Sequence, residues 1–244
     1  MDNRKKYRDK TRVDSACRVI LDYILPGDVV NQFGDYESWQ FWYAIGTWGI
    51  RKYQKKLFGE ESNWKDDHTM LFLDEEHTLS VEPPKAILKP LKKYCLSNLS
   101  IYRLREMELK SEHIAKLKEA AEQIKGSDYD YGQLLDILIN GIMGYEHQRR
   151  LSFFDFGRTR KVCSVGVRAA FERLYKTMIN PDGEPPNKWL FDKMNPDKWP
   201  EEKIKNFKGT DVEATAPAHF ANSDFFRSEF ELIARFSGGE KISL

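Results

Sequence analysis

A cysteine at the predicted start of a helix is the residue of this chain best suited to nucleophilic chemistry. Cys163 ends a short extended run, and apolar residues then recur on one helical face. A thiol at a helix N-terminus lies against unpaired N–H groups and the positive end of the helix dipole. Three basic residues stand just upstream: Arg158, Arg160 and Lys161. We therefore expect the pKa of Cys163 to lie below its ordinary value; the other interpretation is a small, buried, apolar cysteine.

A thiolate nucleophile requires a base, and His68 is the histidine with the most rigid predicted mount. His68 opens a predicted strand, 68–73, so its side chain would be fixed by a sheet. The remaining histidines fall in a turn, on an exposed helix or in irregular segments: His77, His113, His147 and His219. A strand histidine that faces an apolar core is usually structural, so His68 needs a partner before it indicates catalysis.

Glu82 is the candidate partner, because the predicted hairpin can place it beside His68. Strands 68–73 and 78–82 flank an acidic turn, and a three-residue loop 74–76 would set Glu82 directly opposite His68. Their Cβ atoms would then lie about 4.5–5.5 Å apart. A loop of two or four residues would put the two side chains on opposite faces. The other interpretation of Glu82 is an exposed charge on an edge strand.

Composition excludes several classes of protein. The 244 residues are 41% hydrophobic and 32% charged with a net charge of +1, so no global field favours nucleic acid. No stretch approaches the roughly 18 apolar residues of a membrane span, and charges interrupt any signal-peptide core near the N-terminus. The three cysteines are far apart, which argues against a disulfide scaffold and fits a reducing compartment. We expect a cytoplasmic protein.

The pattern of helices and strands predicts one α+β domain over residues 1–244. An amphipathic helix is predicted at about 11–24, followed by a strand and an aromatic-rich segment, 38–58. Residues 180–210 hold five prolines, which predicts a long excursion over the surface and not a second domain. Its expected anchors are Trp189, Phe191 and Trp199.

Six short motifs follow one another in an order found in a known group of enzymes. They are Pro26–Val30, His68, Glu82, Tyr129–Tyr131, Cys163–Ser164 and Thr215–Ser223. This order resembles the circularly permuted papain-like amidases, the YiiX-like relatives of the NlpC-type peptidoglycan peptidases, a group that includes the lecithin retinol acyltransferases. The histidine precedes the cysteine, as the permuted group requires.

The resemblance implies a permuted papain-like fold, in which a small antiparallel sheet packs against helices that include the nucleophile helix. It implies a cysteine amidase or peptidase with Cys163 as nucleophile, His68 as base and Glu82 as the group that orients His68. It implies no metal or organic cofactor. The implied substrate is a peptide, with peptidoglycan stem peptides as the usual case.

Two alternatives stay open. A chain without a signal peptide reaches peptidoglycan only if lysis or a virion delivers it, so a phage origin and association with a virion or cell wall are expected. A cytosolic lipid substrate, cleaved by an acyl hydrolase or acyltransferase of the same fold, would also fit. The other class of function is a non-catalytic structural or virion module that kept the fold. The reactivity of Cys163 and its proximity to His68 separate these hypotheses.

Overall fold

The computed structural model describes residues 10–33, 41–58, 65–105, 108–132, 162–177, 217–221 and 230–243. The strands are β1 (Val29–Phe33), β2 (Asp66–Asp74), β3 (His77–Glu82), β4 (Lys85–Lys89), β5 (Leu99–Leu104), β6 (Phe230–Ser237) and β7 (Glu240–Ile242). The helices are α1 (Lys10–Leu21), α2 (Phe41–Phe58), α3 (Ser111–Ile124), α4 (Cys163–Thr177) and α5 (Pro217–Ala221), with a 3-10 turn at Leu91–Lys93. The α+β class is confirmed.

A seven-stranded antiparallel sheet in the order β4-β3-β2-β1-β5-β6-β7 organises these elements. Successive side chains of a strand point to opposite faces. Leu71 and Leu73 of β2 accordingly join a core cluster with α3, α4 and α5. Met70 and Phe72, which alternate with them, join a second cluster with α1. We call the two sides the α4 face and the α1 face.

The predicted hairpin register is confirmed, although its turn differs from the prediction. β2 and β3 pair at Met70–Ser80, Leu71–Leu79 and Phe72–Thr78, the register that sets Glu82 across from His68. The register then shifts, so that Asp74 pairs with His77 around a turn of two residues. A bulge therefore supplies the extra residue that the sequence assigned to a three-residue loop.

An ion pair between the buried Asp28 and the partly exposed Arg103 fixes the start of β1. Arg103 of β5 donates from Nε to Asp28 Oδ1 at 3.0 Å and from Nη2 to Asp28 Oδ2 at 2.8 Å. The same guanidinium donates to the carbonyl of Tyr23, and the N–H of Leu25 donates to Asp28 at 2.8 Å. Gly27 has φ +93°, and a Cβ there would collide with Leu109. The Pro-Gly-Asp motif thus stabilises the connection between α1 and the sheet.

The spacing of the cysteines argued against a disulfide scaffold, but the structure contains one disulfide. Cys17 of α1 and Cys95, which follows the 3-10 turn, form a disulfide with their Cα atoms 5.3 Å apart. No sequence pattern indicates this pair, because 78 residues separate the two cysteines and only the tertiary fold brings them together. Cys163 is the free cysteine.

Other predictions divide between those confirmed and those that fall outside the described residues. The helix predicted at about 11–24 is confirmed, although it ends earlier, at Leu21, whereas β4 and β7 were not predicted. The excursion at 180–210 and the basic residues before Cys163 lie outside the described residues. Within the described ranges, every helix is too short or too polar to cross a bilayer.

We predict that Asp28→Ala lowers the free energy of unfolding by about 3 kcal/mol, because it leaves Arg103 without its carboxylate partner. Urea unfolding followed by circular dichroism measures the change. Glu119→Ala is the control, since Glu119 forms an exposed pair with Lys116 on α3, and its effect should stay within about 0.5 kcal/mol. Equal effects of the two substitutions would contradict the role of Asp28.

We also predict that peptide mapping without reductant finds Cys17 linked to Cys95, with Cys163 free. Reduction should lower the free energy of unfolding by about 2–4 kcal/mol, because the bond closes a long loop in the unfolded chain. The double variant Cys17→Ser/Cys95→Ser is the control, since its stability should not respond to reductant. Three free thiols in protein purified without reductant would contradict this pairing.

Candidate active site

Cys163 is the first residue of α4, and the helix start holds it against the sheet. Its side chain is buried, with Leu79 and Val81 in the same apolar cluster. The N–H of Gly166 donates to the carbonyl of Val162 at 2.9 Å, which begins the helical hydrogen bonds around the cysteine. A Cβ on Gly166 would lie 2.5 Å from a methyl carbon of Val81. Only a glycine therefore lets the first turn of α4 approach β3 this closely.

The sulfur of Cys163 accepts a hydrogen bond from the backbone N–H of Thr69. The backbone groups of Phe72 bond to residues 27 and 28, on the β1 side of β2. Since alternate residues of a strand direct their N–H groups to opposite neighbours, the N–H of Thr69 points toward β3. The β2–β3 pairing stops at Met70–Ser80, so Thr69, the preceding residue of β2, has no partner residue on β3. The thiol therefore takes the N–H that a longer ladder would have given to β3.

This arrangement defines a gap between the two strands, which we call the β2–β3 gap. Beyond Met70–Ser80, its borders are residues 68–69 of β2 and, in the same register, residues 81–82 of β3. The sulfur of Cys163 lies at this gap through its bond to Thr69. The sulfur thus contacts the border of the gap through Thr69, and His68 and Glu82 belong to the two strands that border it.

His68 binds Ser80 on the α1 face. Its Nε2 lies 2.9 Å from Ser80 Oγ, and both side chains are buried. Burial lowers the pKa of His68 to about 4, against the opposing charge of Glu82 and with a smaller contribution from Lys89. The imidazole is therefore neutral at pH 7. The sequence analysis missed Ser80, although its position on β3 two residues before Glu82 was available.

Glu82 lies close enough to His68 to act on its charge but bonds elsewhere. Its carboxylate forms an ion pair with Lys89 of β4, on the same face of the sheet. Its negative charge raises the pKa of His68, as expected from the β2–β3 register, which sets the two residues across from each other. Among the described residues no hydrogen bond joins Glu82 to the His68 ring. Glu82 thus acts on His68 through charge in this structure.

The thiol and the imidazole approach the gap from different faces. Cys163 belongs to the cluster on the α4 face, whereas His68 alternates with Thr69 and shares the side of Met70. Burial raises the pKa of Cys163 to about 11, and this outweighs the N–H groups of Thr69 and Ser164 that lower it. The expected low thiol pKa is therefore not found, because loss of solvent exceeds the effect of the helix start.

Two carboxyl groups on the Cys163 side were missed because the predicted strand began at His68. The strand begins at Asp66, whose Oδ2 accepts from Asn31 Nδ2 at 2.8 Å and from the Tyr102 hydroxyl at 3.1 Å. Burial raises the pKa of Asp66 to about 6. Asn31 Nδ2 also donates to the carbonyl of Pro217 at 3.0 Å, so α5 is bound to the strand beside Cys163.

Asp67 binds α2 to the start of β2, on the Cys163 side of the sheet. Arg51 of α2 donates from Nε to Asp67 Oδ2 at 3.0 Å. Burial nevertheless raises the pKa of Asp67 to about 7, and the charge of Asp67 adds to the rise in the pKa of Cys163. Gln54, three residues after Arg51, donates to the carbonyl of Asp66 at 2.6 Å and accepts from the N–H of Ala218 at 2.8 Å. The two acidic residues that directly precede His68 in the sequence were the signal from which these carboxyl groups could have been found.

The described residues contain no group of three or more His, Cys, Asp or Glu side chains arranged to hold a metal ion. The arrangement can perform thiol chemistry if the Cys163 proton passes to a neighbouring base. His68 borders the gap that holds the thiol, and it is neutral and thus able to accept a proton.

Comparisons with known proteins match solved structures but no family model and no curated protein. The chain is similar to the crystal structure of the metalloprotein yiiX from Escherichia coli O157:H7, with 18% sequence identity and a TM-score of 0.31. The similarity covers 66% of this chain and 92% of that one.

We predict that the alkylation rate of Cys163 in the folded protein keeps rising up to about pH 11. The thiolate is the reactive form, so the rate should increase about tenfold per pH unit below the thiol pKa. The urea-unfolded protein is the control, and its rate should level off above its ordinary pKa of about 8.5. Iodoacetamide labelling measured by mass spectrometry checks both curves. A plateau below pH 7 in the folded protein would restore the sequence-based expectation of a stabilised thiolate.

Proposed function

We propose that this protein is a cysteine hydrolase of amide bonds with a permuted papain-like active site. Cys163 is the nucleophile, His68 the base and Glu82 the charged group that stabilises the imidazolium. The observation that carries the proposal is the β2–β3 gap, where the Cys163 sulfur accepts from the N–H of Thr69, the residue that follows His68 on β2. The order of sequence motifs supports the same assignment.

The proposed reaction begins with transfer of the Cys163 proton to His68. The thiolate attacks the carbonyl carbon of the amide, and the carbonyl oxygen becomes an oxyanion. The N–H of Cys163, at the first position of α4, is the proposed donor to that oxyanion. His68 then protonates the leaving amine, the C–N bond breaks, and a thioester remains on Cys163. Water hydrolyses the thioester to a carboxylic acid and restores the thiol.

The resting protonation state sets a requirement on this mechanism. With a thiol pKa of about 11 and an imidazole pKa of about 4, the neutral pair predominates at pH 7. Glu82 favours the charged imidazolium, because its carboxylate raises the pKa of His68. The substrate must therefore be attacked as the proton moves, or bind in a way that brings His68 and Cys163 together at the gap. The broken ladder beyond Met70–Ser80 is where such a movement breaks the fewest hydrogen bonds.

We propose a peptide amide as the substrate, with peptidoglycan stem peptides as the first to test. This choice rests on the resemblance to the permuted amidases. For this substrate we also propose a phage origin and a cytoplasmic location, with the protein reaching the cell wall through lysis or as part of a virion.

A second candidate is a non-catalytic structural or virion module of the same fold. One observation favours it: Cys163 is buried with a raised pKa, while His68 is bonded to Ser80 on the other face of the sheet. Both features are typical of residues that stabilise a core. A purified protein with no amidase activity and no reactive thiol would fit this candidate.

We predict a graded loss of amidase activity in three variants. Cys163→Ala should abolish turnover, since no nucleophile remains. His68→Ala should lower kcat by about 10²–10⁴-fold, the usual contribution of general acid–base catalysis. Glu82→Gln should lower kcat by less, because it removes only a charge that stabilises the imidazolium. Release of amines from purified peptidoglycan and from synthetic stem peptides measures turnover.

Glu75→Gln is the matched control, because Glu75 lies in the turn of the same hairpin with an exposed side chain. Its activity should equal that of the unmodified protein. Activity that survives in Cys163→Ala would contradict the proposed nucleophile. Folded protein with no activity toward peptide, peptidoglycan and lipid amides would favour the non-catalytic module.

A further inference from the structure

We propose that Ser80, and not Glu82, fixes the tautomer and orientation of the His68 ring as a positioning residue. This inference rests on the proposed function for its meaning in catalysis. The sequence assigned the orienting role to Glu82, but the structure gives the hydrogen bond to Ser80.

The geometry of the pair is that of a fixed contact. Ser80 Oγ lies 2.9 Å from His68 Nε2, within the normal range for a hydrogen bond. Ser80 is fully buried and pairs with Met70 at the last rung of the β2–β3 ladder. Water cannot replace this hydroxyl without entering the core. The position of Ser80 is therefore set by the sheet, and the ring of His68 is held in turn.

Glu82 is engaged elsewhere and has no hydrogen bond to the ring among the described residues. Its carboxylate is paired with Lys89, which leaves it to act on His68 through charge. A residue that orients an imidazole must hold one ring nitrogen by a directed hydrogen bond. Ser80 meets this condition, and Glu82 does not in this arrangement.

The contact determines which nitrogen can exchange a proton with Cys163. If His68 is to act as a base, the nitrogen bonded to Ser80 must carry the hydrogen, so Nε2–H donates to Ser80 Oγ. Nδ1 then has the free lone pair. Nδ1 is attached to the ring carbon nearest the backbone, and the Thr69 N–H holds the sulfur close to the same stretch of backbone. Nδ1 would thus be the nitrogen that accepts the Cys163 proton once the two side chains come together.

Thr78 offers a matched control on the same strand. It lies two residues before Ser80, on the same face and fully buried. Its hydroxyl has no hydrogen-bond partner among the described residues. Thr78→Val therefore removes a buried strand hydroxyl, as Ser80→Ala does, without removing a contact to His68.

The test is nitrogen NMR of the full chain labelled with ¹⁵N-histidine, at pH 7, with the His68 signals assigned by their loss in His68→Gln. We expect Nε2 to carry the hydrogen in the unmodified protein and in Thr78→Val. Ser80→Ala should give a mixture of tautomers, and Ser80→Thr should restore the single tautomer. In the amidase assay, Ser80→Ala should lower kcat by roughly tenfold with little change in KM, the effect of one lost hydrogen bond.

A hydrogen on Nδ1 in the unmodified protein would overturn the inference, because Ser80 would then donate to Nε2 and block the lone pair. So would a tautomer that Ser80→Ala leaves unchanged. The unmodified protein alone decides the first point if Ser80→Ala does not fold. A Ser80-dependent Nε2–H tautomer in a protein without hydrolase activity would uphold the positioning contact and overturn only the proposed function.

Discussion

The burial of β2 on both faces is the constraint on which the site depends. Leu71 and Leu73 pack against α4, and Met70 and Phe72 pack on the side of α1. A one-residue shift in the register of β2 would send each pair of side chains to the opposite face of the sheet. Both faces would stay buried, but the side chains would no longer fit the core that they face. The alternation along β2 therefore decides that Thr69 meets Cys163 while His68 meets Ser80. The chemistry of the gap follows from this packing.

Two electrostatic effects compete at Cys163, and their balance explains why a helix N-terminus is not sufficient to make a reactive thiol. Backbone N–H groups stabilise the thiolate, but a thiolate without water loses far more stabilisation than one or two hydrogen bonds return. The neighbouring carboxyl groups Asp66 and Asp67 are subject to the same loss, and their raised pKa values reduce the negative charge near the sulfur at neutral pH. At pH 7 the buried thiol is thus neutral, while Asp67 is partly protonated and Asp66 is mostly ionised.

The parts of the fold that depend on local pattern could be predicted from the sequence, and the parts that depend on tertiary contacts could not. Alternation and turn residues located the hairpin, and its register was correct because the apolar residues at 70–73 must meet those at 79–81. The bulge near Leu73 could not be predicted, since it changes the turn without changing that register. The disulfide of Cys17 and the protonation of Cys163 each depend on residues distant in sequence, and no periodicity indicates them.

The missing side chain at Gly166 has a consequence for how chains of this architecture could diverge. The first turn of α4 approaches Val81 so closely that a single methyl group at this position would push the helix outward. Displacing α4 outward would move the Cys163 sulfur away from the N–H of Thr69 and leave more space at the β2–β3 gap. Paired substitutions at 166 and 81 could therefore change the distance between α4 and β3 in a descendant of this chain without altering any residue that handles a proton.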